Sequence, residues 1–378
     1  MTMQTLTYQV SFNTPAFLGN AEQQAQWRTP PFKAMLRQWW RVVKAPEVGY
    51  DHHRLLTLEN ALFGSAGDDD EGGRSQVQLR LSGWDAGTLA SLPSMATLPH
   101  PEVKDRQTGQ LRPIGTGVYL GFGPVTTNGM RNAIAPSDSP LTFKLRCPAH
   151  EADAIHKAIQ LAAWFGTLGS RARNGWGSLH IEGEGILGWG DLCDSKLAEQ
   201  SPLRSVADAL GDRLANEWPH AVGLCADARP AVWRVVAGST VKEGKTAFVG
   251  FDNWRLVMEK LAALKIGFRT QFKLNNGAPH NRVEDRHVLA YPVTNHGLAG
   301  LPNARLASQM RFKVAKNKEG KYFGLITHLP CSMPTAFFRD NNIAVQAPPI
   351  GRQIEVWQKV HQFISQQPQD LLVRIRKG

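Results

Sequence analysis

The spacing of apolar residues switches from two to about 3.6 and back, and it does so in the same order in both halves of the chain. Residues 4–12 place Leu6, Tyr8, Val10 and Phe12 at every second position, as in a strand with one buried face. Thr29-Pro30-Pro31 then opens a helix, because a proline in the first helical turn loses no hydrogen bond. Phe32, Met35, Leu36, Trp39, Trp40 and Val43 follow at helical spacing and form one core-facing stripe. Strands are predicted over 76–81 and 117–122, a helix over about 150–165 and a strand over 178–182. The second half offers a strand at 232–236 and a helix at 254–264 with Leu256, Val257, Leu261 and Leu264 inward. Alternating runs at 308–315 and 322–327 flank an Asn317–Gly320 turn. Ile354, Trp357, Val360 and Phe363 mark a last helix, and 371–375 a last strand.

Strand, helix, two strands, helix, strand is the order of a split βαβ unit. The expected fold class is therefore α+β, with two ferredoxin-like (RRM-like) domains. The chain of 378 residues exceeds what one ordinary core organises. Its expected division is a first domain at 1–190, a joint at 191–229 and a second domain at 230–378. Residues 84–140, rich in Pro, Gly and Ser, read as an insertion of loops and short hairpins in the first domain.

Phe165–Leu179, FGTLGSRARNGWGSL, directly follows the amphipathic run Ile155, Ile159, Ala162, Ala163. Gly169, Gly175 and Gly177 free the backbone to turn sharply, and exposed N–H groups in such a loop cradle phosphate. Arg171 and Arg173 add charge, Ser170 and Asn174 add polar groups, and Trp176 offers an indole face on which a base could stack. The competing reading is a helix-to-strand connection whose tryptophan packs inward. Charge favours the first: 43 Lys and Arg stand against 32 Asp and Glu, a net +11. That balance fits a polyanion, though its sign alone does not separate RNA from DNA or an acidic membrane.

Other motifs fall away on context. Gly183-Glu-Gly185-Ile-Leu-Gly188 spells GxGxxG but lies outside a parallel βαβ unit. Asp51-His52-His53 and the acidic run 67–71 lack further ligands at usable spacing, so no metal and no cofactor is expected. Cys147, Cys193, Cys225 and Cys331 form no CxxC pair. His280, His287, His296 and His328 lie in irregular sequence, each a candidate general acid or base only if set against a bound phosphodiester. No apolar run approaches the ~18 residues of a membrane span, and the opening residues alternate like a strand rather than a secretory signal. The cytoplasm is the expected compartment.

Three groups of segments together resemble the RAMP superfamily, the repeat-associated RNA-binding subunits of CRISPR effector complexes. They are TPAFLG (14–19) with TPPFKAMLRQWWR (29–41) and LFGSAGDDDEGGRSQVQLRL (62–81), the glycine loop, and NARLASQMRFKV with KYFGLITHLP (303–330). The combination looks most like the capping first subunit of type III-B (Cmr) complexes. The resemblance implies a non-catalytic RNA-binding subunit in antiviral defence, near the 3′ part of the guide RNA. Guide RNA, target RNA and other RAMP subunits would be its partners, with no membrane. It adds Lys33, Arg37, Arg41, Arg74, Arg305, Ser308 and Arg311 to the loop residues as candidate RNA contacts, and leaves Trp39 and Trp40 in the core. Asn174 stands where the superfamily's loop commonly has a second consecutive basic residue. A metal-independent endoribonuclease of the same superfamily is the alternative.

Overall fold

The computed structural model describes residues 2–49, 51–65, 73–105, 107–137, 139–189, 231–242, 245–275, 279–301, 304–306, 308–329 and 345–374, and Gly277, Met333 and Phe338 singly. The predicted joint at 191–229, the acidic run 67–71, Cys193, Cys225, Cys331, Asn303 and Ile375 lie outside them.

The first half runs β1 (Met3–Phe12), α1 (Thr29–Lys44), α2 (His52–Phe63) and β2 (Gln78–Leu81). Two small hairpins follow, β3 (Thr97–Leu98) with β4 (Ile114–Gly115) and β5 (Val125–Thr126) with β6 (Gly129–Met130), on either side of the short helix α3 (Thr116–Gly121). β7 (Leu141–Pro148), α4 (Ala152–Phe165) and β8 (Leu179–Glu182) complete it. The sheet order is β2-β7-β1-β8, with every neighbour antiparallel. Each helical crossover returns the chain parallel to the strand it left, and the strand between them comes from the other crossover. Tyr8, Val10 and Phe12, Phe143 and Leu145, and Leu179 and Ile181 are buried in one core with Phe32, Leu36, Trp39 and Ile159 of α1 and α4.

Two local expectations change, and one rejected motif gains a structural role. Asp51 accepts the backbone N–H of Arg54 at 3.0 Å, so Asp51-His52-His53 is a helix start with its N-cap rather than a ligand triplet. Val42 rather than Val43 is the buried valine of α1. Residues 116–121 form a helix, not the predicted strand. Thr116 Oγ1 donates to Ala96 O at 2.8 Å, and at Gly121 a Cβ would lie 2.7 Å from Val125 Cγ2 and 3.1 Å from the Trp176 indole nitrogen. The turn is set by what it packs against, which local propensity does not encode.

The second half runs β9 (Ala231–Val235), β10 (Gly238–Lys242), β11 (Lys245–Val249), α5 (Trp254–Thr270), α6 (Asp285–Leu289), β12 (Met310–Lys316), β13 (Tyr322–His328), α7 (Ile350–Ser365) and β14 (Leu372–Arg374). Its sheet order is β12-β13-β9-β14, again antiparallel throughout. The β10–β11 hairpin was not expected, and α5 extends beyond 264, capped by the Asn253 side chain. Leu256 is 39% exposed, while Met258 takes its place in the core.

β12 is the edge strand of this sheet, and the first half covers it. Met310, Phe312 and Val314 enter the second core. Arg311, expected as an RNA contact, and Lys313 on the same face are also buried because they point into the first half. The edge hydrogen-bonding groups are met there: Phe312 N–H donates to Arg173 O at 3.0 Å, Val314 N–H to Ser178 Oγ at 2.8 Å, and Asn13 Nδ2 to Val314 O at 3.0 Å. A cavity of about 780 Å³ remains beside this seam, lined by Ser11, Asn13, His180, Trp189, Lys313 and Lys316 among others.

Candidate nucleic-acid interface

The glycine loop folds onto the segment after β1. Leu168 N–H donates to Gly177 O at 2.9 Å, Ser170 N–H to Phe17 O at 3.0 Å and Gly177 N–H to Pro15 O at 2.9 Å. The Thr14 hydroxyl donates to Gly175 O at 2.7 Å and accepts from Ser178 N–H at 2.9 Å. Residues 14–19 and the loop, far apart in sequence, are therefore one structure. Gly169 and Gly177 have φ of +95° and +60°. A Cβ on Gly177 would meet Leu168 O at 1.9 Å, and one on Gly169 would meet Phe17 O at 2.6 Å. These glycines are demanded by the chain's own close approach, and much of the loop backbone already bonds within the protein.

What the loop presents to solvent is Gly169, Ser170 and Arg171. Arg171 holds a left-handed φ of 57° and donates through Nε to Phe122 O at 2.6 Å. Arg173 is half-buried and donates to Ser308 O at 2.7 Å, while the Ser308 hydroxyl turns to Met310 O. The Asn174 amide bridges the two halves, donating to Leu120 O at 2.7 Å and accepting from Lys265 Nζ at 2.6 Å. Gly175 is buried. Trp176 offers no face to a base: it is fully buried, edge-on to Phe17 and Trp254 with ring centroids 5.4 and 6.0 Å away. An indole beside two glycines reads as exposed only while the second half of the chain is ignored.

The basic stripe of α1 also has a partner. Glu59 of α2, with a side chain 0% exposed, takes ion pairs from both Arg37 and Arg41. Lys33, half-buried on the same helix, is held below the ordinary lysine range by burial and by Arg37. Arg311 is buried with its guanidinium 5.3 Å from the Trp39 ring centroid. Arg74 and Arg305 are exposed, the latter donating to Ala304 O at 2.8 Å. Thus Arg173, Asn174, Ser308 and the Arg173-bonded Phe312 strand come together at the seam, and Lys33, Arg37 and Arg41 form a separate group on α1.

Sequence reasoning passed over the outward face of the first sheet. Arg80, Lys144 and Arg146 are exposed there, with Arg80 opposite Lys144 and Gln78 opposite Arg146. None of the three is in an ion pair among the described residues. The signal was present as alternation, since Lys144 and Arg146 fall between Phe143, Leu145 and Cys147. Three of the candidate histidines are gathered in one network. His280 Nε2 meets His296 Nδ1 at 2.9 Å, His280 Nδ1 meets Glu284 at 2.9 Å, and His287 Nε2 bonds His296 O at 2.9 Å. His328 pairs instead with His361 at 2.7 Å. Among the described residues no group of His, Cys, Asp and Glu has the arrangement of a metal site.

The RAMP superfamily profile matches residues 10–180, from β1 through the glycine loop into β8. The chain is thus similar to the RAMP superfamily over a little under half of its length. The CRISPR system Cmr subunit Cmr1-1 of Pyrococcus furiosus is 27% identical over 161 residues, 41% of this chain and 40% of that protein. The match to this curated relative thus spans about two-fifths of its length. The crystal structure of apo Cmr1 from Pyrococcus furiosus shares the fold with a TM-score of 0.50 and 17% identity, over 99% of both chains. A chain of the type III-B Cmr-beta complex bound to cognate target RNA gives a TM-score of 0.42 at 9% identity, over 95% of this chain and 98% of that one. The likeness of fold to apo Cmr1 thus extends beyond the profile-matched residues through the second half.

Proposed function

We propose that this protein is a non-catalytic, RNA-binding subunit of a type III-B Cmr ribonucleoprotein in the cytoplasm. In this reading it caps the end of the complex near the 3′ part of the guide RNA, beside other RAMP subunits, and helps engage target RNA. It would be built of two ferredoxin-like domains, at 1–190 and 230–378, joined through 191–229. The two antiparallel sheets support that architecture, because each has its first and third strands central and its second and fourth at the edges.

The observation that carries the reading is the glycine loop of the first half. It is anchored on three sides by its own chain and presents Gly169, Ser170 and Arg171 outward. The proposed phosphate contacts are these three residues with Arg74, Arg305 and Lys33, while Arg37 and Arg41 are in competition with Glu59. Arg173, Asn174, Gly175, Trp176, Gly177, Ser308 and Arg311 act by positioning. With Trp176 buried, binding rests on charge rather than loop stacking, which suits a subunit that accepts any guide sequence.

The His280–His296–Glu284 network favours the endoribonuclease as a second reading, since His296 is its half-exposed end. Single-stranded RNA titrated with the full chain in EDTA across a salt series separates the two. Intact RNA bound with a steep salt slope supports the capping subunit. Cut RNA, lost in a His296→Ala variant, would replace it with the nuclease.

A further inference from the structure

Three segments bring four cations together where the loop meets the second half. Lys265 and Arg269 lie one turn apart on α5. Lys265 Nζ donates to Asn174 Oδ1 at 2.6 Å and sits 5.6 Å from the Tyr119 ring centroid. Asn174 and Arg171 are themselves held by Leu120 O and Phe122 O, at the end of α3. Beyond Arg269, Arg286 engages Glu102 through both nitrogens of its fork, at 2.8 and 2.5 Å.

The charges do not balance. Of the four, Arg269 and Arg286 lie near one carboxylate, Glu102, and Arg286 already occupies it. Among the described residues Arg171, Lys265 and Arg269 have no ion-pair partner. Burial, then Arg269 and Arg171, hold the Lys265 ammonium well below its ordinary range, and burial also lowers Arg269 and Arg171. Yet all three keep solvent access, Arg171 exposed and the other two half-buried. Cations gathered in a partly desolvated place are costly until an anion joins them. Two guanidinium forks around an ammonium match the several oxygens of a phosphate better than a single carboxylate.

We propose that Arg171, Lys265 and Arg269 form one anion-binding cradle that holds a backbone phosphate of the bound RNA strand. The first half supplies one side of it and α5 of the second half the other, with Asn174 fixing the lysine between them. The proposal rests on the RNA-binding reading above, and it makes the phosphate site a product of both halves. It also gives Asn174 a reason: its carbonyl oxygen orients a lysine from elsewhere, which a basic side chain at 174 would repel.

The test labels the full chain at neutral pH with a small amine-reactive acetylating reagent, with and without single-stranded oligouridylate. Modification of Lys265 is read by peptide mass spectrometry against the exposed Lys359 of α7, and RNA binding by fluorescence anisotropy in the same samples. A several-fold drop at Lys265 with Lys359 unchanged supports the cradle. Equal labelling while anisotropy reports bound RNA overturns the cradle and leaves the RNA reading standing. No anisotropy change overturns both. In a parallel salt series Arg269→Gln should lower the magnitude of the log–log slope by about 0.7, the single-strand value for one lost phosphate contact; an unchanged slope overturns the proposal.

Discussion

Lys313 lies on β12 with 3% of its surface exposed, and its Nζ donates to Ala163 O at 2.6 Å and Ala162 O at 3.2 Å. These are carbonyls of the last turn of α4, and Ala162 O also accepts from the C-cap Gly166 N–H at 2.7 Å. The second half thus caps a helix of the first half with a buried lysine, and burial pushes that ammonium down to about 7. In the unfolded chain the same group titrates near ~10.4. Between these values the unfolded state binds a proton that the native state lacks, so stability rises with pH by about 1.4 kcal/mol per unit. Below the lower value both states are protonated and the full penalty, about 4–5 kcal/mol, is present. Lys313→Met removes the charge and keeps an unbranched chain of similar length, at the loss of two hydrogen bonds costing about 1–3 kcal/mol. The variant should therefore be more stable than the natural protein at about pH 6 and less stable at about pH 10. Urea unfolding of both proteins across that range reads the crossover, and the difference between the curves isolates this one group. Parallel curves, with a constant difference at every pH, would refute the assignment of a buried, depressed lysine.

Four other substitutions separate roles that look alike in sequence. Arg171→Ala should reduce the RNA salt slope by about 0.7 and weaken all sequences alike, whereas Arg173→Ala should lower the melting temperature and leave the slope in place, since Arg173 is tied to Ser308 O. Equal slopes for the two would contradict this division. Glu59→Gln should cost about 2 kcal/mol by breaking its charge-assisted bonds, and should strengthen RNA binding at low salt as Arg37 and Arg41 are released. Unchanged affinity in a filter-binding assay would remove the α1 stripe from the interface. Trp176→Leu should lose about 2–4 kcal/mol of stability through a residual cavity, with RNA affinity at a temperature where it is folded unchanged within about twofold. A large affinity loss there would restore the stacking role.

Periodic patterning made most of the framework legible. The stripe from Phe32 to Trp40 and the alternation from Leu6 to Phe12 specify which face of each element is apolar, and burial then follows. The turn at Asn317–Gly320 was legible for a similarly local reason, because Asn317 closes it with its own side chain, accepting from Glu319 and Lys321 N–H. The α3 helix was not, as six residues carry too little pattern to outweigh their neighbours. In the candidate site, sequence spacing located the loop and its outward arginine. It misread Trp176 and Arg311, which the fold buries.

The sequence by itself determined the element order, the inward faces, the basic charge and the position of the glycine loop, since each of these depends on residues within a few positions of one another. Only the tertiary structure decided which cations remain open to a ligand. Glu59 reaches Arg37 and Arg41 from another helix, Ser308 holds Arg173 from the other half, and α5 sets Lys265 and Arg269 beside Arg171. Charge acts through space, at distances that the order of residues along the chain does not contain.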